Sequence, residues 1–527
     1  MADFDVVVIG SGFGGAIMAA RLAERGSRVL VLERGRWWDS KAGNDRTKYP
    51  RELTDPWFWD QDAPERLNGW LDFRHFRDMS VVQGAAVGGG SLIYANISAE
   101  APEAAFRQGW PPELTLNDLK PHSDRVAQTM DVQELPGKQW SKRTQLVEDA
   151  AKAIGEESRF RRLQLAVKFD LNLQSGQPGD PEQVTRKDNG YGVPQGTCVH
   201  TGECDMGCRA DAKSTLDRNY LAIGQRHGLE IRQLHFVTNI VPDNGFYVVH
   251  FDRLANGQRM PGHVSGRKVV VAAGSLGSTE LLLRCRDQHK SLPGISAQLG
   301  YGWCSNGDFL TPAFYPKRVI DPGNGPTITA AIDFLDGSDG SHYWIQDGGF
   351  VNLLRQVALG SGDRRHRDWL ARLVPDELEE AAHILDPIAR VMPWFAQGID
   401  SPDGQMRLRK RWLFFGPRRL DLRWDVTKSK TVIEAIIARH KQLSKATDGV
   451  AMVPTSWTWW KDLITPHPLG GCCMGRSAAD GVVDHRGEVF GYSGLFVVDG
   501  AIVPRPIGVN PSRTIGALAE RAATLFT

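Results

Sequence analysis

The chain has 527 residues with 63 Lys and Arg against 62 Asp and Glu, so no global field gathers nucleic acid or anionic lipid, and a neutral small-molecule partner is favoured. The length exceeds what one ordinary core fills, so two or more packed regions enclosing a large site are expected. Seven cysteines in a chain of this size do not suggest a disulfide scaffold. The stretch MADFDVVVIG lacks the features of a secretory signal, and no run approaches about 18 apolar residues; a cytoplasmic protein without a transmembrane anchor is the expectation.

Residues 5–9, DVVVI, are a short apolar run suited to a buried parallel strand, followed at once by Gly10-Ser-Gly12-Phe13-Gly14-Gly15 and the helical pattern AIMAARLAERG. A second buried strand, VLVLE, ends at Glu33. This is the layout of a dinucleotide-binding fold. Gly10 serves the tight turn, Gly12 the close approach to a pyrophosphate and Gly15 the packing of the helix, while Glu33 is placed for ribose hydroxyls. Further on, GAAVGGGSL at 84–92 brings Gly84, Gly89, Gly90 and Ser91, backbone suited to packing on a large flat ligand. In the following SLIYANI, Tyr94 and Asn96 are candidates to line that ligand, with Tyr94 equally suited to a core. LFVVDG at 495–500 adds an apolar strand ending in Asp499-Gly500, which can bring amides to a second phosphate or a ribityl chain. A cofactor touched by the first, middle and last parts of one chain is long and largely buried, which favours FAD over an NAD that must leave after each turnover.

Between these motifs, CVHTGECDMGC at 198–208 spaces Cys198, Cys204 and Cys208 as C-x5-C-x3-C. The loop admits an iron–sulfur cluster, a zinc completed by His200 or Asp205, a disulfide, or inert thiols. PTSWTWWKDLITPHP sets Trp457, Trp459 and Trp460 seven to ten residues before His467, so they are candidates to wall an apolar substrate site, with core packing an even alternative.

TPHPLGGCCMG (465–475), GLFVVDG (494–500) and GVNPSRTIGALAERAA (508–523) resemble the closing segment of the glucose–methanol–choline family of flavoenzymes, in its cholesterol oxidase-like branch. VGGGSL at 87–92, KSTLDRNYL at 213–221, VVVAAGSLGSTELLLR at 269–284 and GYGWCSNGD at 300–308 are similar to family motifs too, and the ordered set spans nearly the whole chain. The resemblance implies an α/β fold: a Rossmann-like FAD-binding domain interleaved with an α+β substrate domain built on a large, mostly antiparallel sheet. The expected division is 1–37, 80–111, 213–312 and 463–527 for the first, and 38–79, 112–212 and 313–462 for the second, which carries the cysteine loop. Ala273, Gly274 and Pro511 join the expected cofactor contacts. The cysteine spacing resembles that by which the catalytic subunit of some bacterial FAD glucose dehydrogenases holds a [3Fe–4S] cluster.

Oxidising an alcohol requires removal of the hydroxyl proton and transfer of the carbinol hydride to flavin N5. His467, flanked by prolines, is the candidate proton acceptor, and Asn510 the amide donor that holds the alcohol or its alkoxide. Where the cholesterol oxidase-like branch places an isomerising glutamate, SHYWIQDGG aligns Gln346, with Asp347 beside it, so steroid isomerisation is doubtful unless Asp347 substitutes. The first expectation is thus oxidation of a sterol-like, terpenoid or aromatic alcohol, with oxygen, a quinone or a cytochrome as electron acceptor. The alternatives are a sugar or polyol dehydrogenase that passes electrons through the cluster, and a non-redox or light-driven flavin protein of the same fold.

Overall fold

The computed structural model describes residues 2–43, 46–50, 55–77, 79–349, 388–410, 418–454, 457 and 463–526. The apolar run Phe4–Ile9 forms the expected central strand, with Val6 through Ile9 buried. It pairs in parallel with Val29–Leu32 on one side and with the end of the long strand Gln258–Val271 on the other (Ile9 beside Leu32 and Val271). Glu230–Arg232 and Leu495–Val497 extend this parallel sheet at its two edges. A strand buried on both faces reads as continuous rather than alternating hydrophobicity, which is why VVVI and VLVL were legible as parallel strands. The first half of Gln258–Val271 leaves the parallel layer and pairs antiparallel with Phe246–Ala255, which pairs with His235–Asp243.

The C-terminal helix Ser512–Leu525 packs against both the helix Phe13–Glu24 and the helix Leu116–Thr129. Gly516 sits at that junction, where a Cβ would stand 3.0 Å from Val126 and 3.2 Å from Ile17, so helices from three distant parts of the chain approach closely. Arg21 locks the pair through a 2.7 Å bridge to the fully buried Glu520, which also accepts from the Tyr220 hydroxyl at 2.8 Å.

A second sheet has six strands in the order Val450–Ala451, Phe309–Phe314, Val391–Gly398, Tyr343–Gln346, Ala330–Phe334 and Phe160–Arg162. Every pairing in it is antiparallel, as expected for the substrate side of the fold. The helix Lys430–Ala446 covers it with Val432, Ile433, Ile436, Ile437 and Leu443, a three–four spacing that puts all five on one face. The strand Phe309–Phe314 runs across the expected division at 312/313. A third ladder matters for the site: Leu463–Thr465 pairs in parallel with Met79–Gly84, so the segment leading to His467 is fastened to the strand that feeds the second glycine loop. Among the described residues no helix is long and apolar enough to cross a membrane.

Candidate active site

The two glycine loops meet backbone to backbone. Gly10, at φ +95°, closes a turn in which a Cβ would lie 2.4 Å from the Ala272 carbonyl oxygen. Gly14 is tighter still, with Val498 O only 1.6 Å from its Cβ position. Gly89 presses on Gly12, whose Cα is 2.6 Å from where its Cβ would be. By contrast nothing lies within 4 Å of the Cβ positions of Gly12 and Gly90, so both present bare backbone to open space. The helix that starts at Phe13 has no side-chain cap and no acid in its first turn, which leaves its N–H groups to an anion from outside the chain.

Glu33 ties this cradle together. Its Oε2 accepts from the Ser11 amide and hydroxyl at 2.9 and 2.6 Å, and its Oε1 from the Gly35 amide at 2.9 Å. Ser11 in turn accepts from the Gly88 amide at 3.0 Å, linking the first glycine loop to the second. Ser91 is not part of the wall. Its hydroxyl donates to Gly88 O and accepts from the Leu216 amide, bracing the loop from behind. Asp499 accepts from the Gly274 amide and the Ser278 hydroxyl with one oxygen and from the Ala501 amide with the other, fixing the starts of two helical segments; burial pushes its carboxyl up.

These residues border one cavity of about 600 Å³, within the range expected for a cofactor-sized site. Its wall contains Gly10, Gly12, Phe13, Gly14, Glu33, Gly84, Gly89, Gly90, Tyr94, Ala273, Gly274, Asp499, Gly500 and Pro511, and also His467 and Asn510. A length of bare glycine backbone, an uncapped helix start and an acid beside it fit the pyrophosphate and ribose of FAD. Phe395 stands beside His467, ring centroids 6.3 Å apart, and Leu310, Ile328, Pro393 and Ile464 add further apolar wall to the cavity. At another part, Arg34 and Arg74 bridge to the buried Asp72 and Glu280, a charged lining the motifs did not suggest.

His467 and Asn510 come together as expected, with Asn510 Nδ2 3.4 Å from His467 Nε2. Two further side chains set their orientation. Asp308 lies against the other ring nitrogen, its oxygens 2.8 and 3.0 Å from Nδ1. It also receives the Thr465 hydroxyl at 2.5 Å. Burial pushes the Asp308 carboxyl up, with His467 drawing it back. Gln346 donates through Nε2 to Asn510 Oδ1 at 2.9 Å, which turns the Asn510 amide nitrogen toward the imidazole. Asn306, two residues before Asp308, accepts from the Ile507 and Gly508 amides at 2.9 Å and donates to Val509 O at 2.8 Å. One loop therefore clamps the approaches to both residues.

Several expectations are corrected. Gln346 is fully buried and does not itself border the cavity; its side chain reaches the site through Asn510 Oδ1. Asp347 cannot replace it: both its oxygens are taken, by Arg143 at 2.5 Å and by the backbone and hydroxyl of Thr329 and the Ala330 amide. Trp457 packs edge-on against Phe309 at 5.5 Å inside the core, and Trp459 and Trp460 lie outside the described residues. Asn96 is fully buried at φ +66° and outside the wall, as is Gly15, which packs 2.0 Å from Gly10 O at its Cβ position. Tyr94 does face the cavity, its ring edge-on to Phe13 and its hydroxyl donating to Ser214 O.

The cysteine loop reaches the site through Asp205 and Met206, which line the cavity. Burial and the neighbouring Cys204 push the thiols of Cys198 and Cys208 up. No group of three or more His, Cys, Asp or Glu converges on a single-ion position among the described residues, so the zinc reading does not fit. His200 instead pairs with Gln139 at 3.1 Å, and burial lowers its ring to about 4. Asp308, Asn306 and Ser11 were missed by reading the sequence; the first two sit in GYGWCSNGD, a motif noted as a whole but not residue by residue.

Comparison with known proteins matches the chain to the GMC oxidoreductase family over residues 186–299 and 400–519, and to an NAD(P)-binding Rossmann-like domain over residues 8–37. It is 30% identical to a cholesterol oxidase of Acinetobacter baumannii, over 99% of this chain and 94% of that protein. It is 24% identical to a long-chain-alcohol oxidase of Arabidopsis thaliana, over 98% of this chain and 66% of that protein. Among solved structures, pyridoxine 4-oxidase from Mesorbium loti superimposes with a TM-score of 0.62 at 16% identity, covering 99% of both chains.

Proposed function

Because this chain belongs to the GMC oxidoreductase family and is an FAD-dependent oxidoreductase of alcohols, we propose that it oxidises the CH–OH group of an apolar alcohol, with His467 as proton acceptor and Asn510 as the donor holding the substrate oxygen. The observation that carries this reading is the shared cavity: His467 and Asn510 stand 3.4 Å apart on a wall continuous with the glycine cradle. FAD, when bound, supplies the two-electron acceptor that takes the carbinol hydride. Gly10, Gly12, Gly89, Gly90 and Glu33 would hold it at the phosphates and ribose, with Tyr94, Asn510 and Pro511 along the rest of the cavity.

The substrate hydroxyl replaces the direct contact between the two side chains, donating its proton to His467 Nε2 while its oxygen accepts from Asn510 Nδ2. Gln346 keeps that amide from rotating. Leu310, Phe395 and Ile464 give the cavity an apolar lining that favours an apolar body, which supports a sterol-like, terpenoid or long-chain alcohol over a sugar. Double-bond isomerisation is not part of the reading, since Gln346 is an amide and Asp347 is held by Arg143. The names of the relatives, an alcohol oxidase and a cholesterol oxidase among them, support oxygen as acceptor.

Anaerobic flavin bleaching tests the proposal. Apolar alcohols should reduce the flavin faster than glucose or glycerol, and aerobic turnover should release hydrogen peroxide. Bleaching by sugars alone would overturn it. The second reading, electron exit through a three-iron cluster on Cys198, Cys204 and Cys208, finds no support in the site: the loop borders the cavity through Asp205 and Met206, but no group of three His, Cys, Asp or Glu among the described residues could hold a metal. Iron and acid-labile sulfide in anaerobically purified protein decide it.

A further inference from the structure

We infer that Asp308 is the positioning residue of the oxidation, holding His467 with Nδ1 protonated and Nε2 bare, and stabilising the imidazolium that forms as the substrate gives up its hydroxyl proton. This rests on the proposed role of His467. The side chain of Asp308 is fully buried while that of His467 is 15% exposed, so the pair has an inner carboxylate and an outer base. Both carboxylate oxygens lie within 3.0 Å of Nδ1, and the second also receives the Thr465 hydroxyl, so the ring plane and the tautomer are set together. The Thr465 hydroxyl further accepts from the His467 amide at 2.9 Å, tying the backbone of the base to the same carboxylate. Phe395 bounds the ring from the side, with centroids 6.3 Å apart.

In the resting arrangement a neutral imidazole that donates from Nδ1 must present a lone pair at Nε2, which is the atom facing Asn510 and the cavity. The hydroxyl proton then passes to Nε2 and the carbinol hydrogen leaves with two electrons to FAD, so the product is the carbonyl compound and the imidazole carries one added proton. That positive charge appears within hydrogen-bond distance of a buried anion, where an opposite charge is worth most. Among the described residues, the other titratable groups that interact with Asp308 are Asp400 and Cys304. Asp400 is anchored by the Ser305 amide and hydroxyl, and burial holds the Cys304 thiol neutral.

The test is the pH dependence of the limiting rate of anaerobic flavin reduction in Asp308→Asn and Asp308→Glu, measured on the flavin-loaded enzyme with the best alcohol substrate. Asp308→Asn should lower that rate about 100- to 10,000-fold, the range in which a positioned base contributes, with a far smaller change in the apparent Kd for the alcohol. Losing the carboxylate removes what favours the imidazolium, so the rising limb of the profile should move to lower pH and level off at a lower plateau. Asp308→Glu keeps the charge and should recover a large part of the rate. In a His467→Gln background, Asp308→Asn should add little, because Asp308 acts through that ring. An unchanged rate and limb in Asp308→Asn, or full additivity with His467→Gln, would sink the inference while leaving the proposed function standing. Wild-type flavin that no alcohol bleaches would instead remove the proposed function. If Asp308→Asn fails to fold, the limb and rate of Asp308→Glu, and of Thr465→Val with the carboxylate in place, carry the same comparison.

Discussion

Replacing Gln346 with Glu tests the amide arrangement with a change of one atom. Gln346 is fully buried, and its Nε2 donates to Asn510 Oδ1 at 2.9 Å while its Oε1 has no partner among the described residues. A protonated glutamic acid at this position donates to the same oxygen, and Asn510 keeps its nitrogen toward His467. An ionised glutamate only accepts, so Asn510 must turn its nitrogen inward and its oxygen toward Nε2, which then has to carry a proton and ceases to be a base. Burial favours the neutral acid. Against a reference pKa of about 4.3, holding that proton at pH 7 costs about 3.7 kcal/mol of stability, and at pH 5 only about 1 kcal/mol. The sign follows from a folded-state pKa raised above the unfolded one: the penalty is absent below the unfolded value and grows until pH reaches the folded value. Denaturant midpoints of wild type and variant should therefore nearly coincide at pH 5 and separate by pH 7. Flavin reduction by alcohol should be close to wild type at pH 5 to 6 and fall as the pH is raised. Equal destabilisation at both pH values, or undiminished reduction up to pH 10, would refute the reasoning.

Asp400 is buried with its carboxyl pushed up to about 7, so wild-type stability falls as pH rises from about 4 toward 7; Asp400→Asn, which can keep accepting from Ser305, should be stabilising by roughly 2–4 kcal/mol at pH 8 and near neutral at pH 4, read from urea midpoints. Arg143→Met leaves Asp347 buried without its cation and should cost about 3–5 kcal/mol, much of it recovered when Asp347→Leu is added, as thermal melts of the two variants will show. Gly14→Ala would set a methyl 1.6 Å from Val498 O, so the purified protein should emerge with little flavin, measured by its absorbance against that of the protein. Phe395→Ala should weaken the apparent Kd for a long apolar alcohol about tenfold or more while leaving a short one nearly unchanged, because the ring walls the cavity beside His467.

What could be read from the sequence divides along a physical line. Parallel strands buried on both faces, the glycines at 10, 14 and 89 and the acid at 33 declare themselves locally, because a tight turn, a close backbone approach or an apolar run is a property of a few consecutive residues. His467 and Asn510 stood out within short motifs for the same reason, and the cavity brings them together. The orientation of those two residues is not local. Asp308 meets His467 across 159 residues, and Gln346 meets Asn510 across 164, so neither contact leaves a spacing in the chain. That Gln346 meets Asn510 while Asp347 turns to Arg143 was decided by the register of an antiparallel sheet, in which a step of one residue reverses the face. Trp457 shows the same limit, since an aromatic side chain fills a core or a binding wall equally well and only its neighbour, Phe309, distinguishes them. The sequence alone thus determined the fold and the glycine cradle and brought His467 and Asn510 forward as candidates, because each is carried by a short contiguous motif. Tertiary structure alone decided which buried groups aim those side chains, because that depends on strands and loops that meet only once the chain has folded.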